Sequence, residues 1–316
     1  MNKILKACQI LKDGGVVGIP TETVYGLAGS IESETGINSI FSTKERPFFD
    51  PLIVHISSVA QAKKYVKNWP SVCDILAKHF WPGPLTFILP KSEFVSDKIS
   101  SGLDTVGIRM PNHPVALALI EELGHPVAAP SANKFKKTSP TKAQHVREEF
   151  EDVMVLDGGD CEVGIESTII GIFEKLILIY RPGMITLKQI VEVLKLEGLD
   201  FEVQYQESPV APGHLKHHYM PNKPIILNVL SQNKRDLTHI PTNLLTNTSL
   251  WTLPTNATTA ARDLYGKFRS LDNLESNSIT IEVTEEQLNS ENFKGVFNRL
   301  IKAATYTLPK ELSNKA

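Results

Sequence analysis

Apolar residues along this chain fall in short runs, and amphipathic stretches separate them for the first two hundred positions. Gly15-Val16-Val17-Gly18-Ile19 is one such run; it stops at Pro20 and a group of hydroxyl residues, and reads as a short buried strand. Thr105-Val106-Gly107-Ile108-Arg109, Val127-Ala128-Ala129 and Ile177-Leu178-Ile179-Tyr180 follow the same grammar, each closed by a polar side chain, Pro or Gly. Between the runs the apolar positions recur at helical spacing; near the start, Ile4, Leu5, Cys8 and Leu11 share one face. The pattern predicts helices over 2–13, 32–42, 58–67, 71–80, 114–123, 141–149 and 186–196. It predicts strands over 15–19, 52–56, 85–89, 105–109, 126–129, 153–156, 167–172 and 176–180. Alternation of this kind, reaching to about Leu199, describes an α/β or α+β domain.

The character then changes. Residues 204–223 carry little periodicity and include Pro209, Pro212, Gly213 and Pro221. A loop of that length is either a linker or a functional segment. Beyond it a smaller unit is expected, with strands at 225–229, 249–253 and 278–283 and helices at 257–270 and 293–306. The division is a first domain over 1–203, a linker or active-site lid over 204–223, and a second α/β domain over 224–316. A length of 316 residues suits two domains.

Composition narrows the class. Hydrophobic residues make up 41% and charged residues 22%, which is ordinary globular material. The net charge of −2 gives no global field toward nucleic acid or membrane. The three cysteines, Cys8, Cys73 and Cys161, have no pair spacing, which fits a reducing compartment and argues against zinc. No run approaches the roughly 20 apolar residues of a membrane span, and no leader pattern precedes the first helix, so a cytoplasmic protein is expected.

The chemistry sits where strands end. Lys44-Glu45-Arg46 alone would serve as a solvated helix end, but Pro47 and a strand ending in His55 follow, and together they point to an anion. Arg109 should emerge at the end of its strand. Ser131 and Asn133 follow Pro130 in a turn that is either plainly capped or a phosphate cradle. Arg181 is held by Pro182-Gly183. Neither a Walker loop nor a dinucleotide fingerprint is present.

Six runs in register, within 20–26, 44–55, 105–111, 127–133, 164–170 and 177–183, resemble the threonylcarbamoyl-adenylate synthase family with its YrdC-like domain. The tail resembles the longer, two-domain form through 260–265 and 297–304. The resemblance implies a twisted, mixed, open sheet flanked by helices, followed by a smaller Rossmann-like α/β domain. It implies a nucleotidyltransferase that makes threonylcarbamoyl-AMP and pyrophosphate from L-threonine, bicarbonate or CO2 and ATP with Mg2+, for threonylcarbamoyladenosine modification of tRNA. By the same resemblance Lys44, Arg46, Asp50, Thr105, Ser131, Asn133, Ser139, Arg181, His218 and Tyr219 meet ATP. Thr23, Tyr25, His55, Arg109, Ala129 and Ser167 meet threonine. Lys44, Arg46 and Arg181 stabilise charge on the phosphates, and neither a covalent nucleophile nor a general base is assigned. The family usually has Asn where this chain has Asp50, which would repel phosphate unless a magnesium ion intervenes. Proteins that transfer the threonylcarbamoyl group to tRNA are the implied downstream partners.

Other readings remain beside this one. A non-catalytic YrdC-like RNA-binding protein would use the concave sheet face. The basic stretch Lys134, Lys136, Lys137, Lys142, His145 and Arg147 is either a solvated face or a weak tRNA contact. His214, His217 and His218 lack zinc spacing, so no protein metal site is expected.

Overall fold

The computed structural model describes residues 3–206, 218–230 and 237–309. Ten strands form one mixed sheet: β1 (Val17–Ile19), β2 (Gly26–Ser30), β3 (Ile53–His55), β4 (Leu85–Pro90), β5 (Thr105–Arg109), β6 (Val127–Ala128), β7 (Met154–Val155), β8 (Thr168–Phe173), β9 (Leu176–Arg181) and β10 (Glu202–Tyr205). Their order is β10-β9-β8-β4-β5-β3-β6-β2-β1-β7. The accompanying helices are α1 (Lys3–Lys12), α2 (Glu34–Lys44), α3 (Val59–Lys64), α4 (Ser71–Phe80), α5 (Asp97–Ser100), α6 (Pro114–Leu123), α7 (Ala143–Glu149) and α8 (Leu187–Leu196). Helices α1 and α6 bury Ala7, Leu11, Leu119 and Ile120 against Val17 and Ile19. Helices α2, α4 and α8 close a larger core over Val54, Phe87, Val106 and Ile108.

Register decides where the chemistry falls. Strands β3 and β5 run parallel with His55 opposite Arg109. Strand β4 runs antiparallel to β5 and parallel to β8, and β9 returns antiparallel with Arg181 opposite Ile169. The carboxyl ends of β3, β5 and β9 therefore meet the amino ends of β4 and β8 at one edge.

Three local expectations are corrected. Leu5 is 46% exposed; the buried stripe of α1 runs through Ala7, Cys8 and Leu11, with Ile4 packed beside it. Strand β2, Gly26-Leu27-Ala28-Gly29-Ser30, has no strand-forming composition because α2 lies on its backbone. A Cβ on Gly29 would come within 2.8 Å of the Gly36 carbonyl oxygen and of Ile40, so close approach replaces β propensity as the selecting force. The sheet also continues past Leu199, where β10 adds in parallel to β9.

The second unit contains β11 (Ile225–Leu230), α9 (Thr242–Thr246), β12 (Thr248–Thr252), α10 (Ala257–Asp272), β13 (Ser278–Thr284), α11 (Glu285–Asn289), α12 (Lys294–Ala303) and β14 (Tyr306–Leu308). Its four strands are all parallel, in the order β12-β13-β11-β14. The helix expected over 293–306 stops at Ala303, because residues 306–308 pair with β11 instead. Residues 207–217, on which most of the lid or linker reading and the residues His214 and His217 fall, lie outside the described residues.

The two units share a buried surface. Val24, Ile165 and Tyr219 pack in one cluster with Leu264, Tyr265 and Val296. Tyr205 donates its hydroxyl hydrogen to Glu291, and the Lys294 amine lies over the Tyr205 ring at 3.9 Å. Gly164, at φ +81°, sits against α10 so closely that a Cβ would stand 2.4 Å from the Arg262 Cα. Gly164→Ala should thus strain its own backbone and push α10 away, at a cost of about 1–3 kcal/mol or more. Urea unfolding is expected to show a lower midpoint for this variant; an unchanged midpoint would contradict the close packing.

Candidate active site

A cavity of about 60 Å³ opens at this sheet edge. Its walls include Thr21 and Thr23 after β1, Arg46, Asp50 and Pro51 after α2, and Ile53 and His55 of β3. Arg109 of β5, Ala129 and Ser131 after β6, Glu166 and Ser167 before β8, and Arg181 of β9 complete them with His218 and Tyr219. Eleven of the residues singled out by resemblance line it: Thr23, Arg46, Asp50, His55, Arg109, Ala129, Ser131, Ser167, Arg181, His218 and Tyr219.

Five others lie nearby without lining it. Lys44 is buried, and its amine donates to the carbonyls of Ser131 and Asn133, clamping that turn from below. Burial, with the Arg46 charge added, pushes its pKa well below the usual lysine range. Asn133 donates its side-chain amide to the carbonyls of Lys134 and Lys137, at 2.7 and 2.9 Å. Tyr25 donates to the Gly159 carbonyl at 2.7 Å and accepts from the Gly158 amide at 3.1 Å, and burial raises its pKa to about 12. Ser139 donates to Glu166 at 2.6 Å. Thr105 lines a neighbouring apolar cavity of about 280 Å³ with Ile88, Leu103, Phe173 and Tyr180. The two cavities share Pro51 and Ile53, and Thr105, Gly107 and Arg109 alternate along the same face of β5.

The charged groups are held in pairs. Arg46 lies 2.8 Å from Asp50 and donates to the carbonyls of Asp50 and Pro51. Burial raises the Asp50 pKa, and the Arg46 charge opposes that. The protein itself therefore supplies a counter-charge to Asp50. Arg109 sits 2.7 Å from Glu22 and donates through Nε to the Gly83 carbonyl at 3.2 Å. Arg181 donates to the backbone and hydroxyl oxygens of Ser167, which is itself 2.8 Å from the Thr86 hydroxyl.

Glu166 is the busiest group. It accepts from Ser139, from the Tyr265 hydroxyl at 3.0 Å and from Arg299 Nε at 2.9 Å, while Arg299 also donates to its backbone carbonyl. Burial pushes its pKa up, but Arg299, Arg181 and these hydrogen bonds outweigh that and lower it to about 2. Desolvation holds His55 and His218 neutral, each at about 3. Since a carbonyl only accepts, His55 Nδ1 donates to the Ile53 carbonyl, which leaves Nε2 as an acceptor. Tyr219 stands at φ +66°, and its buried hydroxyl has no protein partner among the described residues. A strained residue at a ligand wall is a feature of functional sites.

Sequence reasoning gave no role to Glu22, Glu166, Tyr265 or Arg299. Glu166 and Arg299 are 133 residues apart, and no local pattern joins them. The only signal was that both stood inside quoted motifs. Among the described residues no group of three or more His, Cys, Asp or Glu could hold a metal, and both cavity carboxylates are paired with arginines.

Comparison with known proteins agrees with this architecture. Residues 9–183 match the Sua5/YciO/YrdC family model, described as telomere recombination, and residues 185–305 match the model of the threonylcarbamoyl-AMP synthase C-terminal domain. The chain is 43% identical over 229 residues to a threonylcarbamoyl-AMP synthase of Pyrococcus abyssi, covering 71% of this chain and 67% of that protein. It is 42% identical over 229 residues to that of Bacillus subtilis, covering 71% and 66%. The crystal structure of P. abyssi Sua5 complexed with L-threonine superposes with a TM-score of 0.83 at 34% identity, over 95% of this chain and 94% of that one. With both domain models matched in order and the fold shared along nearly its whole length, the chain belongs to the threonylcarbamoyl-AMP synthase family in its two-domain form.

Proposed function

We propose that this chain makes threonylcarbamoyl-AMP and pyrophosphate from L-threonine, bicarbonate or CO2 and ATP, in the cavity described above. It is a nucleotidyltransferase of tRNA modification. The observation that carries the division of labour is the convergence of Arg46, Arg109 and Arg181 on one cavity walled by hydroxyl groups. Arg109 takes the threonine carboxylate, since it lines the site at a strand end and Arg–carboxylate pairing is strong. Thr23, Ser167 and the Nε2 acceptor of His55 surround the rest of the amino acid, with Ala129 in the wall and Tyr25 buried behind it. ATP runs from Arg46, Ser131 and Arg181 past Pro51 toward Thr105, whose cavity shares Pro51 and Ile53 with this one. Lys44, Asn133 and Ser139 act from behind, by fixing the turns that present Ser131 and Glu166. His218 and Tyr219 close the phosphate side.

The reaction needs little from side-chain acids or bases. The threonine amine adds to the carbon of CO2 to form a carbamate and releases a proton. A carbamate oxygen then attacks the α-phosphorus, and pyrophosphate leaves. Arg46 and Arg181 stabilise charge on the phosphates by preorganised position. Mg2+, bound to the nucleotide, would neutralise phosphate charge. The product is a mixed anhydride, and it passes in the cytoplasm to proteins that transfer its threonylcarbamoyl group to tRNA.

Pyrophosphate release should require threonine and bicarbonate together; ADP and orthophosphate as products would overturn the assignment. Arg109→Ala should weaken chiefly threonine and Arg181→Ala chiefly ATP, each by about 1.5–3 kcal/mol. Titration calorimetry checks this, and equal loss of both ligands in both variants would contradict it.

The neutral histidines set a pH dependence. An unfolded histidine takes a proton below about 6.5, whereas folded His55 stays neutral down to about 3. Its folded pKa is depressed, so unfolding binds a proton in that window and stability falls as pH drops. At pH 5 the loss is about 2 kcal/mol. His55→Gln should lose less stability between pH 7 and pH 5 than the parent, read by urea unfolding. Equal losses would mean that His55 is charged in the fold.

A further inference from the structure

Glu22 is a buried carboxylate with an unusual lack of company. Its side chain is 4% exposed and lies in the turn that follows β1. The backbone there is fixed, because the Val163 amide donates to the Glu22 carbonyl at 2.7 Å. Neither carboxylate oxygen accepts a hydrogen bond among the described residues. Among the described residues its one ion-pair partner is Arg109 Nη2 at 2.7 Å, placed off the line that a hydrogen bond needs. Buried carboxylates are normally satisfied by several donors; Glu166 obeys that rule through Ser139, Tyr265 and Arg299, whereas Asp50, 2.8 Å from Arg46, also leaves one oxygen without a hydrogen bond among the described residues and Glu22 leaves both. As a stabilising device the Glu22–Arg109 pair is poor, since only its Arg109 half has an added hydrogen bond, to the Gly83 carbonyl, and a buried pair so incompletely satisfied does not recover its desolvation cost. Thr21, Thr23 and Arg109 line the cavity, whereas Glu22 does not. Its carboxylate acts on the site through Arg109.

We propose that Glu22 is a positioning and specificity residue, whose charge makes the Arg109 site select an amino-acid zwitterion over a plain carboxylate. This rests on the reading that Arg109 receives the threonine carboxylate. The paired side chains carry no net charge. A carboxylate that arrives alone therefore meets a neutralised cation. A zwitterion brings an ammonium as well, and near an uncompensated Arg109 that ammonium would be repelled. Glu22 cancels the repulsion, and Arg109 keeps its place on the cavity wall. Its charge also opposes any swing of the guanidinium toward the phosphates.

The test compares L-threonine with 3-hydroxybutanoate, which keeps the carboxylate and the hydroxyl but has hydrogen in place of the amine. Titration calorimetry on the full chain gives the ratio of the two affinities. The parent protein should prefer threonine by about tenfold or more, and equal affinities would overturn the proposal before any variant is made. Glu22→Gln keeps the shape and removes the charge, so the preference should fall by about tenfold. Glu22→Asp should retain the preference, even where both ligands weaken. A Gln variant that weakens both ligands alike, or an Asp variant that loses the preference as fully as Gln does, would overturn it. Arg109→Gln is the separate arm: if it leaves threonine binding intact, the placement of the amino acid at Arg109 has failed, whatever Glu22 does.

Discussion

The Glu166 carboxylate, reached by Arg299 from the other unit, is the contact on which the rest of this structure depends. Arg299 is fully buried on α12 and donates to both the side chain and the backbone of Glu166, and also to the Pro182 carbonyl. Burying either charge alone would cost several kcal/mol. Together, with Tyr265 and Ser139 filling the remaining acceptor positions, they form a satisfied network. Its geometry has a consequence for the site. Glu166 stands on the cavity wall next to Ser167, which holds Arg181, so the second unit sets the position of a wall it does not itself form.

The cavity shows the same economy throughout. Each cation that lines it has its orientation fixed by backbone carbonyls or by a carboxylate: Arg46 by Asp50 and Pro51, Arg109 by Gly83 and Glu22, Arg181 by Ser167. Fixed cations in a buried setting need no reorganisation when a polyanion enters, which is the form of catalysis that phosphoryl chemistry rewards. The histidines are neutral there, so they contribute shape and hydrogen bonds rather than charge.

Much of this was legible in the sequence because strands announce themselves through period and punctuation. Arg109 and Arg181 close apolar runs, and each does sit at a strand end on the cavity. Strand β2 was not legible, since Gly29 is selected by the approach of α2 and not by strand propensity. The carboxylates were the larger gap. Glu22 and Glu166 look like ordinary polar residues beside Thr and Ser, and only tertiary contact with Arg109 and Arg299 gives them roles. The same holds for Asp50. As a letter it suggested a missing metal, but as a side chain 2.8 Å from Arg46 it has its counter-charge already. Motifs report which residues face a ligand; partners that act through another residue leave no local period to read.

The most direct measurement of the link between the two units is a double-mutant cycle on urea unfolding with Glu166→Gln, Arg299→Met and the pair together. Each single change should destabilise by about 3–5 kcal/mol, because it strands a buried partner. The combined variant should lose clearly less than the sum, with a coupling of more than about 1 kcal/mol. Losses that add to within about 0.5 kcal/mol would mean that the two residues do not act on each other, and that the second unit is held to the cavity by something else.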